Sequence, residues 1–202
     1  MIEKVNIDER YVPSEELNQA QLPYTALAQV LHSCFDFESL FDVGCRNGKL
    51  LHELNKIDSS TKIAGCDYFQ WAIDASETEI KPFVYRWDLR DEMKEDKFDL
   101  VTCFEVAEHI DEGYCDVFLS NLKSLTNKYL ILTWSSAGGK NHPEVDDRCQ
   151  HLNPLCRDDV LETVSKYFTL EENLTNEFIR QSNTKQEFLW YWRDSLTVWS
   201  PL

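Results

Sequence analysis

Between Ser39 and Trp134 the chain alternates short apolar runs with longer amphipathic ones, and this rhythm limits the fold more than any other feature. SLFDV, KIAGC, PFVYRW, FDLVTCF and KYLILTW have the length and the β-branched or aromatic content of strands. GKLLHELNKI, FQWAIDASETEI and the stretch from Tyr114 to Leu125 carry apolar residues at helical spacing. Strands separated by helices in this order predict an α/β architecture, a mostly parallel sheet covered by helices on both faces.

The flanks are read on the same grounds. From Pro13 to about Cys34, Leu17, Ala20, Leu27, Val30 and Leu31 recur at helical spacing with a break near Pro23, so residues 1–36 form a helical cap. Residues 37–134 are the alternating core, and 135–202 a lid and substrate-side part. Within that last part the polar segment from Ser135 to Pro154 is long for a bare connection and suits a functional loop. A helix over about Arg157 to Tyr167, a strand FTLEENL and the run FLWYWRDSLTVW follow, the run suggesting two late strands paired as a hairpin at one sheet edge. At 202 residues this is one domain.

Charge and cysteine usage narrow the partners. Thirty-six acidic against 20 basic residues give a formal charge of −16, which repels a phosphate backbone and makes nucleic acid an unsuitable partner. MIEKVNIDER has no apolar leader region, and no window approaches the roughly 20 apolar residues of a membrane span. The 7 cysteines include no CxxC pair and read as reduced thiols of a cytoplasmic protein. Cys149, His151 and Cys156 lack the paired spacing of a structural zinc site.

The first strand runs into FDVGCRNGKL, which in a sheet of this kind is the loop that touches the ligand. A nucleoside-triphosphate loop needs four residues between its glycines and then Lys-Ser or Lys-Thr, whereas Gly44 and Gly48 enclose three and Leu50 follows Lys49. A dinucleotide loop needs glycine where Arg46 stands. Asp42, two residues ahead of Gly44, repels phosphate and suits a ligand that carries an ammonium and a sulfonium.

DVGCRNG resembles the first motif, usually DxGxGxG, of class I S-adenosylmethionine-dependent methyltransferases, and three further motifs agree in order from Leu40 to Trp134. The resemblance implies a Rossmann-like, doubly wound, mostly parallel seven-stranded sheet with an antiparallel edge strand. It also implies cofactor contacts. Asp42, Gly44, Cys45, Arg46 and Gly48 would form the methionine-side loop. Asp67 of AGCDYFQWAI would take the ribose hydroxyls, with Tyr68 and Phe69 packed on adenine. In RWDLR, Asp88 would accept from the adenine amino group and Leu89 would offer its backbone. Glu105, at the end of FDLVTCFE, would lie beside the transferred methyl. Arg46 departs from the pattern, since glycine there lets the backbone approach the cofactor.

Methyl transfer needs a nucleophile aligned about 3 Å from the methyl and relieved of its proton. EVAEH places Glu105, Glu108 and His109 at i, i+3 and i+4, on one face if the turn is helical, a set able to hold a divalent cation. The plainer alternative has Glu105 capping the turn, Glu108 in solvent and His109 packed under the cofactor, with His109 or His151 as general base. RCQHLNPLCRDDV is similar to the DHxFEWTR stretch of small-RNA 2'-O-methyltransferases in His151 and Arg157. In that family ExxEH and the downstream histidine together hold Mg²⁺, and ubiquinone-pathway O-methyltransferases also use ExxEH for a metal. The resemblance implies Mg²⁺ or Mn²⁺ on Glu105, Glu108, His109 and His151, with His142 competing for the fourth place.

Metal-assisted chemistry favours a diol, so a sugar hydroxyl in a glycan or sugar conjugate is the expected acceptor and a catechol-like small molecule the alternative. Trp190, Tyr191 and Trp192 would stack on sugar rings or lie in the core. LTWSSAGGKNHPE is loosely similar to sugar-modifying methyltransferases. The rival from another class is an inactive cofactor-binding subunit, for which Arg46 is the main support. Oligomeric state is left open.

Overall fold

The computed structural model describes residues 4, 23–136, 151–185 and 194–202. Leu17, Ala20, His142, Cys149, Trp190, Tyr191 and Trp192, all given roles or places above, lie outside these residues. In chain order the elements are α1 (Tyr24–Cys34), β1 (Ser39–Val43), α2 (Lys49–Ile57), β2 (Lys62–Asp67), α3 (Gln70–Asp74), β3 (Val84–Arg86), β4 (Phe98–Cys103), α4 (Cys115–Leu125) and β5 (Thr126–Leu132). They continue with α5 (Arg157–Val164), β6 (Phe168–Leu170), α6 (Glu172–Lys185) and β7 (Thr197–Pro201).

The seven strands order as β3-β2-β1-β4-β5-β7-β6. β1 to β5 pair in parallel, and β7 runs antiparallel to both β5 and β6. The expected antiparallel strand is therefore β7, set one place in from the edge, with β6 outside it.

Adjacent residues of the central strands face opposite layers, as the period of two requires. Leu40, Leu100 and Ile131 pack under α1, α2 and α6 through Leu31, Leu51 and Phe178. Phe41, Val101 and Leu130 pack under α4 and α5 through Phe118, Leu122 and Val164. Both faces of the central strands are thus covered, which explains why they read as continuous apolar runs.

Two expectations change. FTLEENL is strand only over Phe168–Leu170, and α6 starts at Glu172. Among the described residues of α6, Thr175, Phe178 and Ser182 are buried, with Leu174 and Ile179 partly buried against the same core, so two of the three most buried positions are hydroxylic and weaken the apolar stripe. Their polarity is satisfied: the Val198 N–H donates to Thr175 Oγ1 at 2.9 Å, and Ser182 Oγ donates to the Phe178 carbonyl at 2.7 Å. Of the two late strands expected in FLWYWRDSLTVW, β7 takes the last residues, while 186–193, where the first would lie, are outside the described residues. The helix expected over FQWAIDASETEI is short, ending at Asp74. Among the described residues the cysteines are free thiols, and no helix is long and apolar enough to cross a membrane.

Candidate active site

The strand order reverses between β1 and β4, and the loops leaving β1, β2, β4 and β5 open on one crevice, where open α/β sheets bind ligands. The loop after β1 carries three left-handed residues: Gly44 at φ 74°, Arg46 at φ 50° and Gly48 at φ 69°. The N–H groups of Gly44 and Cys45 both donate to the Cys66 carbonyl, at 2.8 and 2.9 Å, which lashes the loop to β2. A Cβ on Gly44 would collide with Val106 Cγ2, so only glycine fits between the loop and the turn after β4. Arg46 adopts the backbone that glycine would supply there, and its N–H donates to Asp67 Oδ2 at 2.8 Å.

Asp42 is 6 % exposed and accepts from Thr102 Oγ1 at 2.7 Å. Burial pushes its carboxyl up to about 7; the Thr102 bond opposes this and the charge of Asp67 adds to it. A cation placed against Asp42 would recover its ionisation. Asp67 is raised by burial too, and its Oδ1 accepts the Phe69 N–H at 2.9 Å, so it organises both loops around the expected ribose position. The rings of Tyr68 and Phe69 meet edge to face at 5.2 Å.

Asp88 is forked by Arg90, Nε to Oδ1 at 2.9 Å and Nη2 to Oδ2 at 3.0 Å, and Arg90 also reaches Asp111 at 3.0 Å. Burial pulls the Asp88 carboxyl up, but the Arg90 bonds outweigh it and hold the pKa below the usual range. Lys4 Nζ reaches the same carboxylate at 3.2 Å. An adenine amino group would share Asp88 with these donors. The Leu89 N–H has no partner among the described residues, while its carbonyl accepts from Asn121 Nδ2 at 3.0 Å. Asn121, which the sequence pattern did not single out, also accepts the Met93 N–H and bonds the Asp91 carbonyl.

Beyond β4 the backbone turns sharply at Glu105, φ 56°, a conformation non-glycine residues rarely take. Thr133 stabilises the turn: its Oγ1 accepts the Glu105 N–H at 2.8 Å and donates to Glu105 Oε1 at 2.9 Å. EVAEH then makes a single 3₁₀ turn, Ala107–His109. Glu108 is wholly buried, and among the described residues neither carboxylate oxygen has a well-formed hydrogen bond, although the Glu105 carboxyl and the Ser135 backbone stand close to it. Burial, and then the charge of Glu105, push its carboxyl well above the usual range. Glu105 is raised by burial as well.

The stretch after residue 150 closes on this turn. The N–H groups of Leu152 and Asn153 donate to the Glu108 carbonyl at 2.7 and 2.9 Å, and Trp134 Nε1 donates to the Asn153 carbonyl at 2.7 Å. His151 Nε2 thereby stands 4.0 Å from Glu108 Oε1, and its ring centroid 5.0 Å from that of His109. Ligand atoms of Glu108, His109 and His151 all lie within 4.8 Å of one another. Three of the four metal ligands expected from sequence are brought together; Glu105 is not in the cluster and is anchored on Thr133 instead. Thr102, Thr133, Trp134 and Asn153 were not foreseen. For Thr102, Thr133 and Trp134 the only sequence signal is polarity or an indole N–H at the carboxyl end of an apolar strand, and Asn153, in the loop before α5, carries none.

The methyltransferase domain description matches residues 16–185. The chain belongs to that methyltransferase family. Among curated proteins none matches it. Solved structures of methyltransferases share its fold. A TehB-like S-adenosylmethionine-dependent methyltransferase from Corynebacterium glutamicum is 15 % identical, with 93 % of each chain covered and a TM-score of 0.61. The plantazolicin methyltransferase BpumL, seen with S-adenosylhomocysteine and a pentazolic desmethylPZN analogue, is 13 % identical over 93 % of this chain and 88 % of its own, with a TM-score of 0.63. A putative O-methyltransferase from Nostoc punctiforme is 12 % identical over 89 % of this chain and 55 % of its own, with a TM-score of 0.59. This methyltransferase thus has the seven-stranded sheet and crevice of S-adenosylmethionine-dependent enzymes. An adenine base would find the Leu89 N–H without a partner among the described residues, and an ammonium would find the buried Asp42 carboxyl.

Proposed function

We propose that the protein is an O-methyltransferase that transfers the methyl of S-adenosylmethionine to a sugar hydroxyl, in a glycan or sugar conjugate, with a divalent cation on Glu108, His109 and His151. The observation that carries this reading is Glu108, a wholly buried carboxyl beside two imidazoles, with no well-formed hydrogen bond to its oxygens among the described residues. Leaving an ionised carboxylate so placed is costly, and a cation among the three groups would offset that cost. Two imidazoles with one carboxylate suit Mn²⁺ better than Mg²⁺, which favours carboxylates and water. A cation there would lower the pKa of a coordinated hydroxyl.

The chain's own residues do the rest. Asp42 holds the cofactor ammonium, Asp67 the ribose, and Asp88 with the Leu89 N–H the adenine. Glu105, fixed by Thr133, stands at the carboxyl end of β4 toward the acceptor side. His109 and His151 are the proton acceptors if no cation is bound. A vicinal diol suits this arrangement, which places sugars ahead of catechol-like acceptors, and the charge of −16 disfavours RNA. The inactive-subunit reading loses its main support, because Arg46 takes the glycine-like backbone.

The test is Mn²⁺ binding by electron paramagnetic resonance, together with transfer from labelled S-adenosylmethionine to panels of sugars and catechols. Glu108→Ala should weaken Mn²⁺ binding by at least about tenfold and remove metal-stimulated transfer. Transfer that survives both chelation and the substitution would defeat the metal role; transfer to catechols alone would replace the sugar.

A further inference from the structure

We propose that the cavity beside Glu105 is the acceptor site and that Arg157 in its wall binds an acid group, so that the sugar methylated is an anionic one, carrying a carboxylate or a phosphate. This rests on the O-methyltransferase reading above and narrows its substrate. The cavity has a volume of about 380 Å³, within the range of roughly 300–1,000 Å³ usual for small-molecule sites. Its described walls come from Glu105, the residues just past β5, the start of α5 and the residues leading into β7. Glu105 links it to the crevice, so a molecule bound here has one end at the carboxyl end of β4.

The walls mix an apolar surface, from Trp134, with hydroxyls of Ser135 and Ser195, and Arg157 is the one cation among the described lining residues. Arg157 Nη1 donates to the carbonyls of Asp194 and Leu196, at 3.2 and 3.4 Å, which fixes the plane of the guanidinium. Its Nε and Nη2 have no partner among the described residues. Those two donors lie side by side, the geometry that takes both oxygens of a carboxylate or two of a phosphate. The chain carries 36 acidic residues against 20 basic ones, yet no described carboxylate pairs with this arginine. Glu105 and Asp194 also line the cavity, and both serve as acceptors for sugar hydroxyls.

Calorimetry on the full chain loaded with S-adenosylhomocysteine tests this, comparing glucuronate and glucose 6-phosphate with glucose, and 3,4-dihydroxybenzoate with catechol. At least one acidic sugar should bind about tenfold or more tighter than glucose, the least that a charge-assisted pair of hydrogen bonds gives. Arg157→Gln, which keeps a donor for the two carbonyls, should abolish that advantage and leave the affinity for S-adenosylhomocysteine unchanged. Arg157→Lys should recover part of it, which a loss of folding would not allow. An acid advantage confined to the catechol pair and dependent on Arg157 keeps the anion site and removes the sugar. Equal binding of acidic and neutral members, an advantage that persists in Arg157→Gln, or no binding by any of the five overturns the proposal.

Discussion

Asp42→Asn separates what a buried carboxyl costs the fold from what it does for the ligand. The unfolded chain ionises this group near 3.8 and the folded protein near 7. Between those values the folded state holds a proton that the unfolded state has released, so stability falls as pH rises through the window and levels off above it. The slope is about 1.4 kcal/mol per pH unit, which makes the loss from this one group roughly 3 kcal/mol between about pH 5 and pH 8. Asparagine still accepts from Thr102 and does not titrate. The stability advantage of Asp42→Asn over the natural chain should therefore widen by up to roughly 3 kcal/mol over that interval. Groups remote from Asp42 titrate alike in the two chains and cancel in the difference, while relief of the repulsion between Asp42 and Asp67 adds to the variant's advantage at the alkaline end. Urea unfolding followed by tryptophan fluorescence at several pH values, without cofactor, measures it. At the alkaline end the variant should bind S-adenosylmethionine at least about tenfold more weakly, because the ammonium has lost its anion. A stability difference that stays level across the pH range, or an unchanged cofactor affinity, would refute the reasoning.

Gly44→Ala should cost about 2–4 kcal/mol, from the left-handed backbone and from the new Cβ against Val106. Adding Val106→Ala should recover the packing share and not the backbone share; denaturant midpoints of the four chains measure this, and full recovery would contradict it. Trp134→Phe removes the bond to the Asn153 carbonyl that holds His151 in place. It should cost about 1–2 kcal/mol in denaturation and weaken Mn²⁺ binding several-fold without changing affinity for S-adenosylmethionine, as calorimetry would show.

The two kinds of expectation that held rest on short-range spacing. Strand and helix periods depend on residues two to four apart, and the methyltransferase family was legible in DVGCRNG and the motifs that follow it in order. What was missed is carried by distant pairs. α6 hides its inward face behind Thr175 and Ser182, whose burial is tolerable only because Val198 and the Phe178 carbonyl satisfy them. Glu105 and Glu108 look equivalent in EVAEH, yet Thr133 bonds the first, and the second has no well-formed hydrogen bond among the described residues.

By itself the sequence determined the α/β architecture, which is written in local spacing, and the methyltransferase family, which the resemblance of DVGCRNG and the later motifs implies. Tertiary packing alone decided that β7 inserts between β5 and β6, that Arg46 carries the backbone of a glycine, and that His151 meets His109 over a buried Glu108. Those outcomes depend on which buried polar group finds a partner across the fold, and desolvation makes that choice only once the layers have closed.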